Sequence, residues 1–177
     1  MKAIQFDRLG GPEVLEPREV PLPELAPGDV LVRNRAIAVN FGDLFFIDGR
    51  YLVKPVFPDV PGMEAAGVIE AVGPRVDGLT RGMRVMYIGM GAFAEYTRIR
   101  RSRVMPLPDD IDFETAAAFP IAVLTAWHLM LEHEWKKELG IPKDMNTYAV
   151  IPIGWPRGKF GPVSRRPAAE AIHRERW

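Results

Sequence analysis

No cysteine occurs in this chain of 177 residues. That excludes disulfides, thiolate metal ligands and cysteine nucleophiles, and it fits a reducing compartment. Net charge is lacking as well, since 23 Lys and Arg balance 23 Asp and Glu, so no global field recruits nucleic acid or an anionic membrane surface. Histidine is scarce: His128, His133 and His173 have no metal-ligand spacing and no evident acidic partner, which leaves structural or surface roles. Long apolar runs are also missing. The longest uncharged stretch, residues 115–131, falls short of a membrane span and contains Pro120 and His128, which points to a buried helix. Residues 1–7 reach an acid without an apolar core of the signal-peptide kind, so a cytoplasmic protein is expected.

What is present is an ordinary globular balance, 47% apolar and 26% charged residues, enough for a hydrophobic core without metal or disulfide. Up to about residue 105, short strand-like runs alternate with Pro and Gly, the pattern of a compact antiparallel or barrel-like β domain. Strands are expected over 2–6, 15–19, 29–39, 65–72, 84–87 and 94–98, with a short helix over 40–48. Beyond residue 110 the pattern turns helical. Asp112 is placed to cap a helix, Pro120 restarts the chain, and a second helix from about Ile121 should end at Gly140, with Pro142 blocking continuation. Residues 147–153 read as a buried strand. A Gly- and Pro-rich stretch follows, with a last helix possible over 167–176.

Gly89-Met90-Gly91-Ala92-Phe93-Ala94 has the spacing of a dinucleotide fingerprint. That fingerprint works by opening a helix whose N-terminus faces a pyrophosphate. Here Glu95-Tyr96-Thr97-Arg98-Ile99 follows, a strand pattern, so a turn between strands is expected instead. No glycine-rich βαβ unit appears elsewhere.

Seven motifs agree in order and spacing: Met1-Lys2-Ala3-Ile4, Gly10-Gly11-Pro12-Glu13-Val14-Leu15, Pro27-Gly28-Asp29-Val30-Leu31-Val32, Asn40-Phe41-Gly42-Asp43, Pro61-Gly62-Met63-Glu64-Ala65-Ala66-Gly67-Val68-Ile69, Gly91-Ala92-Phe93-Ala94-Glu95-Tyr96 and Ala116-Ala117-Ala118-Phe119-Pro120. Together they resemble the GroES-like, substrate-side domain of the medium-chain dehydrogenase/reductases, and within these the quinone oxidoreductase branch. The resemblance implies a mainly β fold with helices over residues 1–123, serving as one wall of a cleft. In that family a following Rossmann domain holds NADPH, and hydride passes to a small quinone or enone. It assigns Asn40 as an amide facing the nicotinamide and Asp43 as an orienting group, both catalytic, with Phe45 and Tyr51 beside the cofactor. The residue-level alternative makes Asp43 a cap of the short helix and Phe45, with Phe46, core. Zinc is not expected, because Met63 stands where zinc-using relatives carry His and no Cys exists.

The remainder, residues 124–177, resembles instead the C-terminal end of the flavin-dependent nitroreductases. The resemblance rests on Leu139-Gly140-Ile141-Pro142, Tyr148-Ala149-Val150-Ile151-Pro152-Ile153-Gly154-Trp155-Pro156 and Lys159-Phe160-Gly161-Pro162-Val163. It implies a helix, a strand and a basic tail, and FMN is not expected to bind because the helical core of that family has no counterpart. The expected whole is a chimeric oxidoreductase-related chain, weak or inactive alone for want of a nucleotide-binding half. Two readings stay open beside it: a non-enzymatic β module or gene-fusion product, and an FMN-linked fragment. Self-association through an apolar face left uncovered is also expected.

Overall fold

The computed structural model describes residues 1–131, with the order β1 (Lys2–Gln5), β2 (Glu16–Glu19), β3 (Asp29–Ile37), α1 (Phe41–Ile47), β4 (Glu64–Val72), β5 (Arg84–Ile88), β6 (Tyr96–Arg100), β7 (Val104–Pro106), α2 (Phe113–Ala118) and α3 (Pro120–Leu131). The strands form a ribbon, β1-β2, and a five-stranded sheet in the order β6-β3-β4-β5-β7. Every pairing is antiparallel. A single bridge between Ala3 and Ala94 joins ribbon to sheet and gives the curled, half-barrel form.

Alternation explains the strands. In β5, Val85 and Tyr87 point inward, and in β6 Thr97 and Ile99 do so, the period of two that a half-buried sheet requires. Val85, Tyr87 and Ile99 meet Val30, Val32, Ala65 and Ile69 in one core. The start of β4 is instead buried on both faces, Glu64 through Gly67. There α2 lays Ala116 and Ala117 against Ala66 and Leu107, so small residues are needed on both sides. Gly67 is the extreme case, since a Cβ there would sit 2.1 Å from the Arg33 carbonyl oxygen across the β3–β4 pair. A second cluster, Phe6, Val14, Phe46, Ile47 and Met63, seats α1 on the ribbon side, with Phe6 edge-on to Phe46 at 5.7 Å.

The expected β domain, short helix and turn over residues 89–94 are all present, with shifted bounds. The strand expected over 94–98 is β6, two residues later. Residues 93–95 are taken up by β1 instead: Ile4 N–H donates to the Phe93 carbonyl at 2.8 Å and Glu95 N–H to the Lys2 carbonyl at 3.0 Å. The strand expected over 29–39 stops at Ile37, because the chain turns into the cap of α1. β7 was not foreseen; three residues ending in proline carry almost no periodicity and gain strand geometry only from β5. Asp112 does cap α2, accepting from Thr115 N–H at 2.6 Å. α3 begins at Pro120, one residue before expectation, as proline suits the first helical position, and it runs through the boundary expected at 123/124. The helix end at Gly140, the strand over 147–153, the last helix and most of the nitroreductase-like segment lie outside the described residues.

One polar knot ties β3, β5 and β6. Asn34 Nδ2 donates to the Ala94 carbonyl at 2.8 Å and to Thr97 Oγ1 at 2.9 Å, while Tyr87 Oη donates to Asn34 Oδ1 at 2.9 Å. Burial pushes the Tyr87 hydroxyl up to about 12, so it stays a donor throughout the working pH range. Tyr87→Phe leaves the Asn34 oxygen without its donor, and we expect a loss of about 1–3 kcal/mol. Urea unfolding checks this, and an unchanged midpoint would contradict it.

Candidate functional site

The site is built where β3 hands over to α1. Asn40 is the N-cap of α1 with extended backbone, and its own N–H donates to Asp43 Oδ2 at 2.7 Å. This is the Asp43 half of a capping box. Asp43 is buried to 1% exposure, so it reaches no ligand and holds the turn from behind. Asn40 is half-buried. Its Nδ2 donates to Glu64 Oε1 at 2.8 Å, and Glu64 Oε2 accepts from the Ile121 N–H at 2.7 Å. Glu64 itself is 1% exposed. One buried carboxylate therefore joins the start of β4, the cap of α1 and the first turn of α3.

The second Asp43 oxygen, Oδ1, is buried with no hydrogen-bond partner. Burial raises the Asp43 carboxyl above its ordinary 3.8; the Asn40 amide opposes this, the Glu64 charge adds to it, and the Gly62 amide, which completes no hydrogen bond to Oδ1, opposes it more weakly.

Phe45 and Tyr51 lie on the same segment but in different settings. Phe45 is half-buried, edge-on to Phe41 at 5.1 Å, with the Arg50 guanidinium 4.8 Å over its ring. Phe46, its neighbour, is the core residue at 2% exposure, so the pairing of Phe45 with Phe46 as core holds only for Phe46. Tyr51 is half-buried against the Phe6–Met63 cluster, and its ring stands 3.4 Å from where a Gly42 Cβ would be. Met63 is likewise in that cluster. Among the described residues no group of three His, Cys, Asp or Glu side chains is placed to hold a metal ion. No helix among them is long and apolar enough to cross a membrane.

Beside Asn40 in the chain, Val39 is 76% exposed and Phe41 72%. On α3, whose first turn Glu64 ties to the α1 cap, Val123, Leu124 and Trp127 are exposed as well.

Glu64 is the residue that motif reading passed over. Its signal was legible: an acid opening a strand of Ala, Ala, Gly, Val and Ile must enter the interior, and a buried carboxylate needs donors.

Residues 26–109 match the alcohol dehydrogenase GroES-like domain. The quinone oxidoreductase of Pseudomonas aeruginosa is 44% identical over 131 residues, 73% of this chain and 40% of that protein. Among solved structures, the Escherichia coli quinone oxidoreductase complexed with NADPH matches at TM-score 0.71 and 35% identity, over 75% of this chain and 41% of that one. The human synaptic vesicle membrane protein VAT-1 homolog-like protein matches at 0.72 and 35%, over 75% and 43%. The chain spans about two fifths of the length of the curated relatives it matches.

Because burial raises its folded-state value, Asp43 keeps its proton longer in the native protein than in the unfolded chain. That contribution to stability is whole below the unfolded value of 3.8 and is lost as pH rises through the folded-state value. Asp43→Asn stays neutral, so its stability relative to the parent should improve as pH rises above 3.8 and level off once Asp43 is ionised in the folded protein. Urea unfolding across that range tests this, and parallel curves for the two proteins would refute it. The described residues form a GroES-like half-barrel domain, similar over about three quarters of this chain to the quinone oxidoreductases.

Proposed function

We propose that this domain is the substrate-side wall of a zinc-independent reductase that moves hydride from NADPH to a small quinone or enone. The observation that carries the reading is the exposed apolar surface beside the Asn40 amide, on a chain 44% identical to a quinone oxidoreductase. NADPH, when bound, supplies the hydride. The chain's own residues hold and shield. Asn40 offers its amide to the nicotinamide end, held by Glu64 through Nδ2. Asp43 is a positioning residue, since it is buried and acts through the Asn40 backbone. Phe45 and Tyr51 flank the ring, and Val39, Phe41 and Trp127 exclude water, which strengthens polar contacts at Asn40.

The wall suits a flat ring and not a pyrophosphate. Residues 89–94 form a turn between β5 and β6 rather than the opening of a helix, so they supply no helix dipole for phosphate. Uncovered, the same face favours self-association.

Saturation-transfer NMR with NADPH at high ligand concentration tests the reading. The nicotinamide protons should receive saturation, the adenine protons much less, and Asn40→Ala should abolish the nicotinamide signal. Equal transfer to both rings, no transfer at all, or indifference to Asn40→Ala would overturn it.

A further inference from the structure

Between β3 and the β1–β2 ribbon lies a groove of about 790 Å³. Its lining follows the chain from Asn34 to Val39, and Val39 immediately precedes Asn40, the N-cap of α1. One end of the groove therefore abuts the Asn40 turn. Five residue steps of strand geometry give it a length of roughly 16 Å. Pockets of roughly 300–1,000 Å³ take drug-sized ligands, and a lone six-membered ring leaves most of this one unfilled.

The lining decides what kind of group fills the rest. Ile4, Ile37 and Phe93 contribute to it, together with the small side chains of Ala3, Ala36 and Ala94. Its charged members are Lys2, Arg18 and Arg35 against Glu19 and Glu95. Arg18 is already held by Asp7 and Glu16, which leaves two cations facing two acids and no net charge to select an ion. Asn34 has its side-chain amide engaged in the knot with Ala94, Thr97 and Tyr87. A long, apolar, electrically balanced groove favours a flexible hydrocarbon chain, each fully buried methylene strengthening binding about fourfold.

We propose that the substrate is a quinone or enone bearing an alkyl tail, with its ring beside the Asn40 turn and its tail laid along β3 in the groove. Val39, 76% exposed, stands where ring and tail join, and Ile37, 39% exposed, is the side chain the tail covers. The placement of the ring rests on the reductase reading; the groove adds the tail and with it the substrate class.

Isoleucine-methyl and side-chain amide NMR on the full chain, titrated with methyl- and decyl-substituted benzoquinone, tests this. With no cysteine, thiol addition to the quinone does not intervene. Both compounds should move the Asn40 NH2 resonance, but only the decyl compound should move the Ile4 and Ile37 methyls, while Ile69 in the core stays fixed. The decyl compound should bind about thirtyfold or more tightly than the methyl one. Ile37→Asp should reduce that preference to a few fold without changing the affinity of the methyl compound. Unmoved Ile4 and Ile37 methyls would overturn the proposal. So would moved methyls with an unmoved Asn40, or decanol binding as tightly as the decyl quinone, because either detaches the groove from the ring site. Failure of the reductase reading itself shows separately, as a nicotinamide signal indifferent to Asn40→Ala.

Discussion

A carboxylate with 1% exposure, Glu64, is the constraint on which the α1–α3 side of this domain depends. Taking an ionised carboxylate out of water costs several kcal/mol unless both oxygens find donors. Here the donors come from two distant segments, the Asn40 side chain and the Ile121 backbone. The negative charge also sits at the N-terminus of α3, where the helix dipole favours it. Satisfying one buried charge therefore sets the Asn40 amide and the start of α3 together, and the exposed apolar residues of both helices follow.

The two sides of the domain answer to different physics. On the sheet side, alternating apolar residues and the Asn34–Tyr87–Thr97 knot leave little freedom, and Gly67 permits the close approach of β3 and β4. Around Asn40 the reverse holds: large apolar side chains face water, an arrangement that makes sense when something covers them. Fold by itself does not choose the chemistry. The same architecture matches a quinone oxidoreductase complexed with NADPH and a synaptic vesicle membrane protein VAT-1 homolog-like protein about equally well.

Much of this was legible in the residues, for identifiable reasons. β3, β4 and β5 carry alternation or small-residue runs that only strands explain, and Asp112 announces α2 by the oxygen it offers Thr115. Asn40 and Asp43 stand out as polar groups at a strand-to-helix junction. What stayed hidden depends on partners far along the chain. β7 is a strand only because β5 is beside it. The delayed start of β6 reflects residues 93–95 bonding to β1, some ninety positions earlier. The role of Glu64 requires Ile121, which no local pattern connects to it. Phe45 and Phe46 look alike in sequence, and only the turn of α1 sends one to the core and leaves the other beneath Arg50.

The measurement that tests this account most directly is amide NMR on Glu64→Gln. The Gln amide puts an NH2 where the carboxylate offered a second acceptor, so either the Ile121 bond is lost or the Asn40 amide turns over to present its oxygen. The account predicts faster hydrogen exchange at the Ile121 amide or a displaced Asn40 side-chain NH2 resonance, with unaltered signals from the β3–β6 pairing. Unchanged exchange at Ile121 together with an unmoved Asn40 resonance would mean that Glu64 does not join these segments, and the central claim would fall.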